Sequence, residues 1–244
     1  MVIGGNGVLG AAMCEGLATH GASVVIVGRN EEKGVGVKDR ISSMGGEALF
    51  LQADATSKDM ITGVLENTIA WKSHVDILVN AAGINSNTPF FDIQMEEFDR
   101  IVDVNLKSVV IACQVFGSHM CKSSRGGSII NISSVSSGPP LSQVFTYSLT
   151  KAAVNNLTQF LAREFAPYHV RVNAVIPGFF PAEQNKKILT EQRMASIMQH
   201  TPYKRFGNPE ELQGTIVWLA SDEASGFVSG ALVRVDGGFS AMTI

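Results

Sequence analysis

The feature that most constrains this chain is an alternation, running from one end to the other, of short β-rich apolar runs and stretches of helical periodicity. The runs fall at Met1–Ile3, Ser23–Val27, Ala48–Gln52, Ile77–Asn80, Ser128–Ile132, Arg171–Val175 and Leu232–Val235. Several are unbroken Val/Ile/Leu sequences, the pattern of parallel strands covered on both faces. Helices are predicted between them, at Gly10–His20, Glu31–Ser43, Ser57–Trp71, Glu96–Met120, Tyr147–Phe165, Gln184–Gln199 and Glu210–Ala220. Gly21 suits the position just past a helix, and Asn208-Pro209-Glu210-Glu211 reads as an N-cap, a first-turn proline and a capping glutamate. A repeated β-α order with right-handed crossovers predicts an α/β fold, a doubly wound parallel sheet of about seven strands with helices on both faces. No repeat, low-complexity tract or linker divides the 244 residues, so one domain over 1–244 is expected. The first strand is the oddity. It should be central, yet only three residues precede the glycines: either it is unusually short or the true chain begins further upstream.

Composition narrows the partners. Apolar residues make up 45% of the chain and charged residues 17%, ample for a core on both faces of a sheet. A net charge of −3 with no basic run argues against nucleic acid and anionic membranes as partners. Cys14, Cys113 and Cys121 form an odd set without metal-ligand or CxxC spacing, and the five histidines show no metal spacing either. No metal is therefore expected. No Lys or Arg precedes Arg29, so a secretory n-region is missing. The uncharged stretch Gly126–Thr150 is too rich in Ser, Gly and Pro to cross a bilayer as a helix. A cytoplasmic protein acting on a small molecule is expected.

Gly4-Gly5-Asn6-Gly7-Val8-Leu9-Gly10 joins the first strand to the first helix. A dinucleotide pyrophosphate needs backbone N–H groups at a helix N-terminus with no Cβ in the way, and this placement is that of a Rossmann-type glycine loop. An acidic side chain at the end of the second strand would bind the ribose 2′-hydroxyl and repel a 2′-phosphate. Gly28 and Arg29 stand there instead. The planar fork of Arg29 favours NADP(H) over NAD(H).

A second constellation suits hydride transfer. Exchange of hydride between a carbinol and nicotinamide needs a proton delivered or removed at the oxygen. A phenol, with a pKa near 10, is too weakly acidic to serve as a base at neutral pH unless a cation stabilises the phenolate. Tyr147 and Lys151 are four residues apart, on one face of a helix. A serine hydroxyl from a nearby strand end can polarise the carbonyl.

These motifs together resemble the short-chain dehydrogenase/reductase family from Val2 to Phe239. They are the glycine loop, Asp54-Ala55, Asn80-Ala81-Ala82-Gly83, Asn105 in Val-Asn-Leu-Lys, Asn131-Ile132-Ser133-Ser134, Tyr147-Ser148-Leu149-Thr150-Lys151, Pro177-Gly178 and Val235-Asp236-Gly237-Gly238. The resemblance implies Tyr147 as general acid/base and Lys151 as the residue that binds the nicotinamide ribose and lowers the tyrosine pKa. Ser134, thirteen positions before Tyr147, would hydrogen-bond the substrate oxygen, with Ser133 its competitor. Asn105 would interrupt a helix and hold a proton-relay water. The cofactor would meet Gly4, Gly7, Leu9, Gly10 and Arg29, with Asp54 and Ala55 by the adenine. Asn80 and Gly83 would lie against the adenine-side ribose, and Pro177 and Gly178 beside the nicotinamide. A homotetramer built on the long helices Glu96–Met120 and Tyr147–Phe165 and on the last strand is also implied.

The chain departs from the family pattern at Ile3, Val8 and Ala182, where Thr, Gly and Thr are usual. Phe179 to Pro202 is expected to form a substrate lid, around 179–202. Within it Glu183, Gln184 and Asn185 offer hydrogen bonds to a polyol, while Lys186, Lys187 or Arg193 could pair with a carboxylate. This run and Val8-Leu9 resemble the D-mannonate oxidoreductase (fructuronate reductase) branch, which implies a sugar acid such as D-fructuronate/D-mannonate. Competing readings are a reductase of another ketone or of a 3-oxoacyl substrate, a sugar-nucleotide epimerase, and a non-catalytic nucleotide-binding regulator.

Overall fold

The computed structural model describes residues 1–180 and 190–242. Seven parallel strands form one sheet in the order β3-β2-β1-β4-β5-β6-β7. They are β1 (Val2–Ile3), β2 (Val24–Gly28), β3 (Ala48–Gln52), β4 (Ile77–Asn80), β5 (Gly127–Ile132), β6 (Val170–Pro177) and β7 (Leu232–Val235). Each lies within two residues of its sequence-predicted bounds. The first strand is central and two residues long, pairing with β2 through Val2↔Ile26 and with β4 through Val2↔Val79.

The strand pleat sends successive side chains to opposite faces. Ile3, Val25, Val27, Leu78 and Ile129 enter one core with Ile61, Val109, Phe116, Met120 and Val154 from the helices. Val2, Val24, Ile26, Val79 and Ile130 enter the other with Met13, Leu17, Ile41, Leu212 and Ile216. Hence the unbroken apolar runs. The helices are α1 (Val8–Thr19), α2 (Glu31–Ser43), α3 (Lys58–Lys72), α4 (Met95–Val102), α5 (Ser108–Lys122), α6 (Phe145–Phe165), α7 (Glu191–His200) and α8 (Gln213–Ala220), and Leu212 comes from the turn just before α8.

Local chemistry sets their ends. The side chains of Asn30 and Ser57 cap α2 and α3, accepting from Lys33 N and Met60 N. Gly21 follows α1 at φ +85°, the left-handed position that glycine fills without strain. The Glu211 carboxylate accepts from Asn208 N at 2.7 Å, but the turn it caps, Pro209–Leu212, is a 3-10 turn ahead of α8. Of the helix expected at Gln184–Gln199, the described part starts at Glu191, capped by Thr190. Positions 181–189 lie outside the described residues.

The helix expected at Glu96–Met120 is split. Between α4 and α5, Asp103–Lys107 forms a π-helical turn, and Ser108 Oγ donates to the Val104 carbonyl at 2.6 Å. One extra residue in a turn re-aims a side chain, a device common at functional sites; here Asn105 sits in that turn, fully buried. By length and composition Met95–Lys122 would pass for a membrane span, but half of its apolar window is buried in the protein. All three cysteines are free, and burial pushes the Cys14 and Cys113 thiols up to about 12.

Candidate active site

The strand order reverses between β1 and β4, and doubly wound sheets bind ligands at such a point, outside the carboxyl ends of the strands. A cleft of two adjoining chambers, about 210 and 160 Å³, lies there. Gly4, Gly7, Ala81 and Gly83 line both.

The glycine loop shapes the shared wall. Gly4 has φ +82°, and a Cβ on it would come within 2.6 Å of Ala82 N. A Cβ on Gly10 would overlap the Gly4 carbonyl oxygen. Glycine at both positions lets α1 start against the end of β1. Gly7 is the N-cap of α1, with no side-chain cap hydrogen bond and no acidic residue in the first turn. The first-turn amides therefore keep their donors and the positive end of the helix dipole for an anion. Val8, unusual for the family, is the first helical residue and 43% exposed, so its branched side chain meets no backbone strain. Ile3 is buried in the core beside the first chamber.

Arg29, Asp54 and Ala55 line the first chamber. Thr56 donates to the Asp54 carboxylate from its N–H at 2.9 Å and its hydroxyl at 2.8 Å. These bonds, with the nearby Arg29 charge, hold the Asp54 pKa below the ordinary value. Sequence reading missed Asn6, which also lines this chamber and whose Nδ2 donates to Asn30 O at 3.2 Å. A Cβ on Gly28 would overlap the Asn6 amide. A side chain at the end of β2 would therefore have to displace the Asn6 amide, and no acidic residue stands there.

Leu9, Gly10, Ser134, Tyr147, Lys151, Pro177 and Gly178 line the second chamber. Gly178 packs so closely on Asp236 that a Cβ would reach its Cα at 2.7 Å. Ser134 follows β5, and its Oγ accepts from Ser136 N at 3.2 Å and Ser136 Oγ at 3.1 Å. Ser133 lines the chamber too, but its hydroxyl is spent on the Lys151 carbonyl at 3.2 Å. Lys151, buried on α6, donates from Nζ to Ile132 O at 2.8 Å and lies 5.6 Å from the centre of the Tyr147 ring.

Overall the Tyr147 pKa is raised, where the resemblance implied a lowered one. Burial raises the tyrosine above 10, offset in part by a hydrogen bond with Ser134, and burial brings Lys151 down to about 8. Loss of water sets both directions, and the Lys151 ammonium is itself turned to the Ile132 carbonyl.

Asn105 is not on the chamber surface. Its Oδ1 accepts from Ile84 N at 2.8 Å, and its Nδ2 donates to Ile84 O at 2.9 Å and Thr150 Oγ1 at 3.2 Å. The amide thus clamps the segment after β4 to α6, which carries Tyr147 and Lys151. Asn80 stands apart as well: it is buried, donating to Asn131 Oδ1 at 2.8 Å, and lines neither chamber. Asn131 in turn donates to Thr158 at 2.9 Å, so Asn80 cross-links β4, β5 and α6 where a ribose contact was expected. Phe180, unforeseen, closes one wall of the second chamber. The substrate candidates Glu183, Gln184 and Asn185, with Ala182, Lys186 and Lys187, lie outside the described residues. Among the described residues, no group of three His, Cys, Asp or Glu could hold a metal ion.

Comparison with known proteins matches residues 6–240 to a family model described as Enoyl-(Acyl carrier protein) reductase. The chain is 38% identical over 262 residues to the uncharacterized oxidoreductase UxuB of Bacillus subtilis (strain 168), covering 99% of this chain and 94% of that protein. It is 35% identical over 234 residues to 2-dehydro-3-deoxy-D-gluconate 5-dehydrogenase of Escherichia coli (strain K12), covering 96% and 91%. Among solved structures, a gluconate 5-dehydrogenase from Burkholderia cenocepacia J2315 in complex with NADP and tartrate superposes at a TM-score of 0.94. It is 32% identical, over 99% of this chain and 94% of that one. The expected affinity with the fructuronate reductase branch is corrected accordingly: the relatives named for a sugar acid are gluconate 5-dehydrogenase-like. With a match over nearly its whole length, the chain belongs to the short-chain dehydrogenase/reductase family of nicotinamide-dependent oxidoreductases acting on CH–OH groups.

Proposed function

We propose that this enzyme is an NADP(H)-preferring dehydrogenase/reductase of a hydroxylated sugar acid, with Ser134, Tyr147 and Lys151 as catalytic residues and Asn105 as their support. The observation that carries the reading is the meeting of Ser134, Tyr147 and Lys151 in one chamber that shares its wall with an uncapped helix N-terminus. A nicotinamide bound there supplies or accepts the hydride. In the reducing direction Tyr147 gives its phenolic proton to the carbonyl oxygen while the carbon gains hydride; oxidation runs the same transfer backwards. A tyrosine held protonated by burial suits the donor role. Ser134, whose oxygen already accepts from Ser136 N, can turn its own proton toward the substrate oxygen. Lys151 carries the charge that stabilises phenolate once the proton has left.

NADP(H) preference rests on Arg29 in the first chamber and on Gly28, where an acid would repel a 2′-phosphate. The sugar-acid class is supported by the names of relatives at 35% and 32% identity. A homotetramer is also part of the reading. Phe90 meets Phe91 and Phe145 edge to face on the surface, and Phe160 of α6 is exposed as well.

Tyr147→Phe should lower kcat by about 10²–10⁴-fold, the worth of a positioned acid/base group, while NADP(H) binding is retained. Turnover near wild type in the folded variant would contradict the mechanism. Arg29→Asp should move the ratio of kcat/KM from NADPH toward NADH; a wild type that already prefers NADH would overturn the assignment. Lys151→Met should stabilise the protein. Lowering the lysine pKa from 10.5 to about 8 costs the fold about 3 kcal/mol below pH 8, where the folded and unfolded states both carry the charge. Losing the bond to Ile132 returns about 1 kcal/mol of that. Urea denaturation at pH 7 should show a gain of about 2 kcal/mol, fading as pH rises from 8 past 10.5, where lysine is neutral in both states. A variant no more stable than wild type at pH 7 would contradict this.

A further inference from the structure

A second cavity, of about 550 Å³, is lined by residues that neighbour those of the catalytic chamber in sequence. Asn87 stands four residues past Gly83, Ser142 and Gln143 lie on the loop joining Ser134 to Tyr147, and Phe179 follows Gly178. Arg193 and Ser196 of α7 close the other side. Among the described residues that line it, none is Asp or Glu. Along these described residues an anion meets hydroxyls, amides and a guanidinium.

The guanidinium is held in place before any ligand arrives. Arg193 donates from Nη2 to Ser142 O at 2.6 Å, and from Nη1 to Ser142 Oγ at 3.2 Å and Gln143 Oε1 at 3.3 Å. Gln143 adopts φ +65°, a left-handed conformation uncommon for a residue with a side chain. These three bonds span fifty positions of sequence and use three of the five N–H donors of the fork. Among the described residues no carboxylate pairs with Arg193. The other basic residue of the lining, His200, packs edge-on against Phe239 at 4.6 Å between ring centres.

We propose that Arg193 is the carboxylate seat of this enzyme, gripping the acid end of a polyhydroxy acid while the hydroxyl to be oxidised lies in the Tyr147 chamber. The inference rests on the sugar-acid reading and adds to it the residue that separates acids from neutral polyols. Asn87, Ser142 and Ser196 offer partners to the intervening hydroxyls. A planar fork fixed by neutral oxygens, with donors left over, matches a carboxylate in charge and geometry.

The test uses two ligand pairs that differ only in carboxylate against CH₂OH: D-gluconate with D-glucitol, and D-mannonate with D-mannitol. Each is titrated calorimetrically into NADP⁺-loaded wild type, Arg193→Gln and Arg193→Lys, alongside KM and kcat. Wild type should bind at least one acid more tightly than its polyol. Arg193→Gln should weaken that acid about 10–100-fold, the worth of a charged hydrogen bond, with KM rising far more than kcat. Its polyol and NADP⁺ affinities should stay within about twofold of wild type, and Arg193→Lys should recover part of the loss. Equal loss for acid and polyol, or no loss, would make Arg193 only a strap between loop and helix, leaving the sugar-acid reading intact. A wild type that binds no acid better than its polyol would overturn both.

Discussion

Everything at the cleft depends on one close approach, that of Gly10 to the carbonyl of Gly4. Because neither carries a side chain, α1 begins directly off a two-residue central strand, and its first-turn amides face the switch point between β1 and β4. The loops after β2, β3, β4, β5 and β6 then converge on that spot without any long excursion, each supplying a wall of one chamber or the other. A methyl on Gly10 would push the helix off the strand, and one on Gly4 would collide with the backbone of Ala81 and Ala82. Asn105 makes the second tie. Its amide binds both backbone groups of Ile84 and reaches Thr150, so the segment after β4, the π-helical turn and α6 are tied together.

The site also carries a cost that the fold does not need. Lys151 is a buried cation whose hydrogen-bonding partner in the site is a neutral carbonyl, and its pKa falls to about 8. A core tolerates such a group only at the expense of stability. The same desolvation that penalises the ammonium raises the Tyr147 pKa, so the pair stands with both protons retained under more neutral conditions than two free side chains would need. Function and stability pull against each other at this position, as they commonly do where a site must hold charge away from water.

The fold was legible in the sequence because period-2 burial leaves unbroken apolar runs where both sheet faces are covered; Val24–Val27 and Ile129–Ile130 are plain cases. The proposed Tyr147–Lys151 pair was legible because helical spacing alone puts the two one turn apart. Other parts depended on contacts that no local pattern announces. Asn80 turns inward because Asn131 and Thr158, distant in the chain, offer it partners. Asn6 belongs to the first chamber through its fit against Gly28, and Arg193 is fixed by Ser142 and Gln143, fifty positions away in the chain. The direction of the tyrosine shift was missed for a related reason: spacing reports that a cation is near, whereas the sign depends on how much water both groups lose.

The most direct measurement is a crystal structure of the enzyme with NADP⁺. The account predicts pyrophosphate density at the amides that open α1, the 2′-phosphate against Arg29, and the nicotinamide end in the chamber of Ser134, Tyr147 and Lys151. A dinucleotide bound elsewhere, or lying in the cleft with its nicotinamide end turned away from Tyr147, would contradict it.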